Sequence, residues 1–223
     1  MQSRFGKPQA RARAYFSTYH LWAALDFADK SGAIEETHTG HSRFDFGHRA
    51  LTISSIIAAG AFLESAINEL FKDCLDDHQS YVHPIPKHAQ DALSDQWKAW
   101  HSRGRARIGT LNKFKAALRC TGAPPLPPDA PISRNATDVL DLRNALVHFT
   151  PQWISKHDQH TFKRLGSRFP ENVLMRDSAN AYFPDKCLGS GCAHWAARSA
   201  KAYADQFFVL LAVKPNYQRT SLP

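Results

Sequence analysis

The chain has 223 residues, 43% hydrophobic and 22% charged, with 14 Phe, 6 Tyr and 5 Trp; this excludes wholesale disorder and supplies the side chains of a real core. Its net charge of +8 is concentrated in two clusters: Arg4, Lys7, Arg11 and Arg13 precede the first acid, and Lys98, Arg103, Arg105, Arg107, Lys113, Lys115 and Arg119 lie between Asp95 and Asp129. The remainder is slightly acidic, so the positive potential is local and points to a polyanionic partner, nucleic-acid phosphate above all.

Residues 1–13 read as a basic arm with no apolar stretch behind it. The longest strongly apolar run, Ile56 to Leu63, is too short to span a bilayer. No membrane association is therefore expected, and the chain reads as cytoplasmic. A first helix is expected from Ala14 to Lys30, stopped by Ser31-Gly32. Residues 33–46 are rich in Gly, Thr and His, with Arg43–Phe46 as a short extended piece. The longest helix runs from His48 to Asp77, where Ile56, Gly60, Leu63, Ile67, Leu70 and Cys74 recur at the spacing of a bundle seam. Shorter helices follow over Lys87–His101 and Leu111–Cys120. Trp97 and Trp100 flank Lys98 ahead of the basic loop, and two readings stand open: bases stacking on them, or rings turned into the core.

Residues 122–131 form a Pro-rich connector, because proline fixes φ and lacks an amide donor. A helix over Asn135–Phe149 is closed by Pro151. Residues 150–190 are an irregular segment, after which Ser190 is placed to cap a final helix from Cys192 to Val213. Period-two alternation is scarce. The expected fold is a single all-α domain over 1–223, an antiparallel helical bundle with an irregular insertion before its last helix. The four cysteines include no C-x-x-C pair, which favours reduced thiols. Cys187, Cys192 and His194 are close in sequence, yet their spacing fits no standard zinc finger. Packing is the favoured reading, and no metal or cofactor is expected.

The segment that carries chemistry is Asp141-Leu142-Arg143-Asn144-Ala145-Leu146-Val147-His148-Phe149. An Arg and a His five apart arise by chance about once in a chain of this composition, and Arg43–His48 is a second copy, so context must decide. On a helix, Val139, Leu142, Leu146 and Phe149 form one apolar stripe, and Leu140 with Val147 a second. Arg143 projects between them, while Asn144 and His148 share the polar margin. Two stripes exceed the need of one bundle face; burial on the chain's own core and against another subunit would account for both. An arginine in such an arc requires an anionic partner. Asp138 or Glu64 would serve in a purely structural ion pair.

Arg143–His148, RNALVH, resembles the R-x4-H motif of the HEPN superfamily (higher eukaryotes and prokaryotes nucleotide-binding). AFLESAINELF (61–71) and FPDKCLGSGCAHWAARSAKAYADQFF (183–208) resemble two further blocks of bacterial HEPN proteins. The resemblance implies a HEPN-like helical bundle that dimerises and brings two motif helices together, and for many members a metal-independent endoribonuclease. It also implies a role in toxin or antiviral defence, with an antitoxin or defence-system partner. In HepT-type toxins the motif continues to a modified tyrosine; here Thr150 holds that position, which speaks against control by that route.

The residue types suit the chemistry. RNA carries its own nucleophile, the 2′-OH, beside the scissile phosphate. An imidazole such as that of His148 takes that proton or protonates the leaving 5′-oxygen. A guanidinium such as that of Arg143 offsets charge developing on the phosphate, and Asn144 orients the ring or binds a phosphate oxygen. Glu64 lies at the edge of its helix seam; its place in the resembling block 61–71 implies that it faces the motif helix and pairs with Arg143, the alternative being an ordinary boundary glutamate. Arg103, Arg105 and Arg107 are candidate RNA contacts. The rival expectation is a non-catalytic HEPN-like module that binds RNA or a partner protein.

Overall fold

The structure, a computed structural model, describes residues 12–78, 81–102, 108–151, 153 and 162–219. It contains α1 (Phe16–Glu36), α2 (Phe46–Leu75), α3 (Lys87–His101), α4 (Thr110–Thr121), α5 (Pro131–Val147) and α6 (Ser190–Leu210). No strand occurs among the described residues, so the chain is an all-α bundle. The described part of the excursion between α5 and α6 holds a 3-10 turn at Lys163–Leu165 and a kinked turn at Tyr182–Lys186.

The seam read from the sequence builds the centre. Ile56, Leu63, Ile67 and Leu70 are fully buried, Gly60 is buried and Cys74 nearly so. Helix α2 consequently touches all five other α-helices. At 1.5 Å per residue its 30 residues extend about 45 Å. Among the described residues it alone has the length and apolar composition of a membrane span, and the bundle packs around it.

Several expected limits differ from those observed, most of them for tertiary reasons. Helix α1 continues through Ser31-Gly32 to Glu36. The Ser31 hydroxyl is buried 2.9 Å from Thr52 Oγ1, and Gly32 lies against α6, a Cβ there being in ordinary contact with His194 Cε1 at 3.6 Å. Helix α5 starts at Pro131 rather than Asn135, because the first helical position needs no amide donor. Helix α6 starts at Ser190 itself, with Gly189 as N-cap, and ends at Leu210. Ser190 therefore does not cap; its amide and its hydroxyl, each at 2.7 Å, donate to the Glu35 carboxylate on α1. Finally, Arg43–Phe46 joins no sheet: the Arg43 amide donates to Leu174 O at 2.9 Å, and Asp45 caps α2 through the His48 amide at 2.8 Å.

The described part of the irregular excursion from Phe162 onward is packed rather than loose. Leu165, Phe169, Leu174, Phe183, Cys187 and Leu188 are buried in it. Buried backbone without helix or sheet must find other partners, and Asn172 supplies them. Its Nδ2 donates to the carbonyls of Asp185 and Leu188 at 3.0 and 3.1 Å, and its Oδ1 accepts from the Leu174 amide at 3.0 Å. Gly189 makes room for this segment: a Cβ there would lie 2.6 Å from Asn172 Cα.

Candidate functional site

Helix α5 buries Val139 and Leu142 completely and Leu140 almost so. Arg143 follows on the same side and lies over Gly60 of α2, where a Cβ would meet its Cγ and Nε at 3.0 Å. The mid-helix glycine thus creates the groove that the arginine stem occupies.

Neither expected carboxylate pairs with it. Asp138 is taken by Arg164, whose Nε donates at 2.8 Å, with Arg168 Nη2 4.0 Å away. Glu64 accepts from Lys113 Nζ, Thr110 Oγ1 and Asn68 Nδ2. The Glu64–Arg143 pair expected from sequence is therefore absent, because α4 reaches the carboxylate first. Burial would raise the Glu64 carboxyl, but the hydrogen bonds from Lys113 and Thr110 outweigh it and hold the group below its ordinary value. Arg143 itself makes no hydrogen bond or ion pair with another described residue.

Arg143 instead lines a cleft of about 810 Å³ bounded by α2, the end of α3, the start of α4, and α5. Arg143, Asn144 and Glu64 all line it. So do His101, Thr110, Asn112 and Lys113, which the sequence reading did not single out as site residues. Gly109, the N-cap of α4, offers no side-chain cap, so the positive end of that helix opens at the cleft. Asp141 stands on the rim, 3.3 Å from Arg164 Nη2.

His148 is not part of this cleft. It is the C-cap of α5, with its amide donating to Asn144 O at 2.9 Å and its ring exposed. Five helical positions turn about 140° away from Arg143, so one protomer does not bring the two side chains into a single pocket. The expected second stripe is also divided. Leu140 belongs to the chain's own core, whereas Val147 is 48% exposed beside His148; Phe149, the end of the first stripe, is 46% exposed, and Trp153 is fully exposed.

The other candidates divide similarly. Arg103, Arg105 and Arg107 lie outside the described residues; Trp100 and His101 before them, and Ile108 and Gly109 after them, line the cleft. Trp97 and Trp100 pack on buried Phe71, with ring centroids 5.8 and 5.0 Å away, which favours the core reading for both. Arg13 of the basic arm is bound to Asp73 at 2.6 Å and Asp76 at 2.8 Å; residues 1–11 lie outside the described residues. Cys187 and Cys192 are buried free thiols, and burial, with the neighbouring Cys187 thiol, pushes the Cys192 thiol up. His194 turns to Asp29 at 2.8 Å and the Ser190 carbonyl at 3.0 Å. Among the described residues no three His, Cys, Asp or Glu side chains gather as metal ligands.

The second Arg–His pair proves architectural. His48 is 1% exposed, and its Nε2 meets Glu35 Oε1 at 2.8 Å, pinning α2 to the carboxylate that also receives α6. No protein-family model, curated protein or solved structure matches the chain.

Proposed function

We propose that the chain is a metal-independent endoribonuclease of HEPN type, with Arg143 holding the scissile phosphate and His148 transferring the proton. The observation that carries this reading is the Arg143 guanidinium. It lies over a glycine that accommodates its stem, on a residue that lines a cleft of mixed polar and apolar character, while both nearby acidic candidates are engaged elsewhere. A cationic group left without a carboxylate is suited to an anionic ligand, and Asn144 beside it offers further hydrogen bonds. The imidazole arrives from a second copy. The exposed Val147 and Phe149 around His148 supply the apolar contact on which two α5 ends meet.

The attack by the 2′-OH releases a 5′-OH and leaves a 2′,3′-cyclic phosphate, so DNA is spared. Participation in toxin or antiviral defence, with a partner protein, rests on the RNALVH resemblance. The deciding experiment incubates wild type, Arg143→Ala and His148→Ala with RNA in EDTA and identifies the fragment ends. Cleavage in EDTA with cyclic-phosphate ends supports the proposal, as does a loss of about 10²-fold or more in either variant. Cleavage abolished by EDTA, or undiminished in His148→Ala, refutes it.

The position of His148 outside the cleft favours a second reading, a non-catalytic RNA-binding module. That reading predicts RNA binding lost in Arg143→Ala, unaffected in His148→Ala, and no turnover.

A further inference from the structure

Three aromatic rings lead from the core to the edge of the cleft. Phe71 is fully buried. Trp97 stacks on it at 5.8 Å with 27° between the planes, and His101 stacks on Trp97 at 4.2 Å and 28°. His101 Nδ1 lies 2.8 Å from the Trp97 carbonyl oxygen. A carbonyl only accepts, so Nδ1 carries the proton and the ring is held against its neighbour by a stack and a hydrogen bond together. Among the described residues His101 makes no other ring contact, hydrogen bond or ion pair, and it is exposed. The stack therefore ends on an open imidazole face at the cleft that Arg143 also lines.

We propose that this face of His101 is the platform for one unpaired nucleobase of single-stranded RNA, whose adjoining phosphate is held at Arg143. The inference rests on the reading of the cleft as an RNA site and adds what the site recognises. A nucleotide combines a planar π surface with an anion, and the cleft presents a planar ring and a guanidinium. Bases in a duplex already stack on one another, so only a single strand, loop or bulge can splay a base onto the ring. Phe71 and Trp97 fix the orientation of the imidazole in advance, which lowers the ordering cost of binding.

Fluorescence anisotropy with a short labelled RNA, single-stranded or annealed to its complement, tests this in a His148→Ala background that prevents cleavage. His101→Ala is expected to weaken single-strand binding about ten- to a hundredfold, and His101→Tyr, which keeps a ring, to restore most of it. That loss persists at high salt because stacking is not ionic, whereas the loss in Arg143→Ala shrinks as salt rises. His101 is the exposed last residue of α3, and circular dichroism of each variant shows that the fold is kept. If His101→Ala binds single strands as tightly as its parent while Arg143→Ala does not, the platform is refuted and the cleft reading stands. If the parent binds no RNA, both fall.

Discussion

Gly60 and Arg143 form a pair that separates function from stability. Replacing a mid-helix glycine by alanine adds about 1 kcal/mol of helix propensity. At this site, however, the new methyl presses on the arginine stem at 3.0 Å. Gly60→Ala is therefore expected to leave Tm unchanged or slightly raised while RNA cleavage or binding drops about tenfold through misplacement of the guanidinium. Thermal melts and an RNA assay on the same sample check it. Glu35 and Glu69 make a second informative contrast. Burial raises the Glu35 carboxyl, but His48 and Ser190 outweigh it, so the folded value lies below the ordinary one. Its stabilisation is complete above about pH 4.3 and fades as pH falls through the lowered folded value. Glu69 accepts the Ser17 amide at 2.8 Å and hydroxyl at 2.6 Å. Burial, reinforced by Asp73, nevertheless leaves its carboxyl raised. Its contribution accordingly declines as pH rises through the raised value. Glu35→Gln should lose about 1–3 kcal/mol at pH 7, a gap that narrows toward pH 4, and Glu69→Gln should lose less at pH 7. Urea unfolding at the two pH values reads both.

The helices whose limits follow from local periodicity were legible: α2, α3 and α4 lie within a residue or two of where seam and stop signals put them. The starts of α1 and α6 depend on carboxylates contributed by other helices. Ser17 and Ser190 each send an amide and a hydroxyl to one such group, Glu69 of α2 and Glu35 of α1. No window of adjacent residues contains that information, which is why Ser190 reads locally as a cap; the Ser31 hydroxyl likewise finds its partner, Thr52, on another helix, so Ser31-Gly32 reads locally as a stop. The described part of the excursion before α6 was illegible for a related reason, since the Asn172 side chain ties together backbone groups as far as 16 positions away. Asn172→Ala strands an amide and two carbonyls in buried surroundings. It is expected to cost at least about 2 kcal/mol, measured by urea unfolding.

Across the whole molecule, the motif helix was legible but its surroundings were not. The sequence marked Arg143, Asn144 and His148. The cleft also needs Gly60 from α2, His101 from α3 and Lys113 from α4, which only the packing brings together. The proposed enzyme joins Arg143 of one copy to His148 of another, and this has an arithmetical signature. In a mixed dimer of Arg143→Ala and His148→Ala chains, one of the two sites is intact. Equal mixing after subunit exchange should thus recover about a quarter of wild-type cleavage from two inactive proteins; a site contained in one chain would recover none. Phe149→Glu, which places charge on the exposed apolar end, should shift the dimer to monomer in sedimentation and abolish cleavage together. The bundle's crossed capping has a dynamic consequence as well. First-turn amides of a helix ordinarily trade their hydrogen for deuterium within the solvent's reach, whereas those of Ser17 and Ser190 are closed by carboxylates from neighbouring helices. Both should rank among the slow exchangers, and releasing either one requires two helices to part.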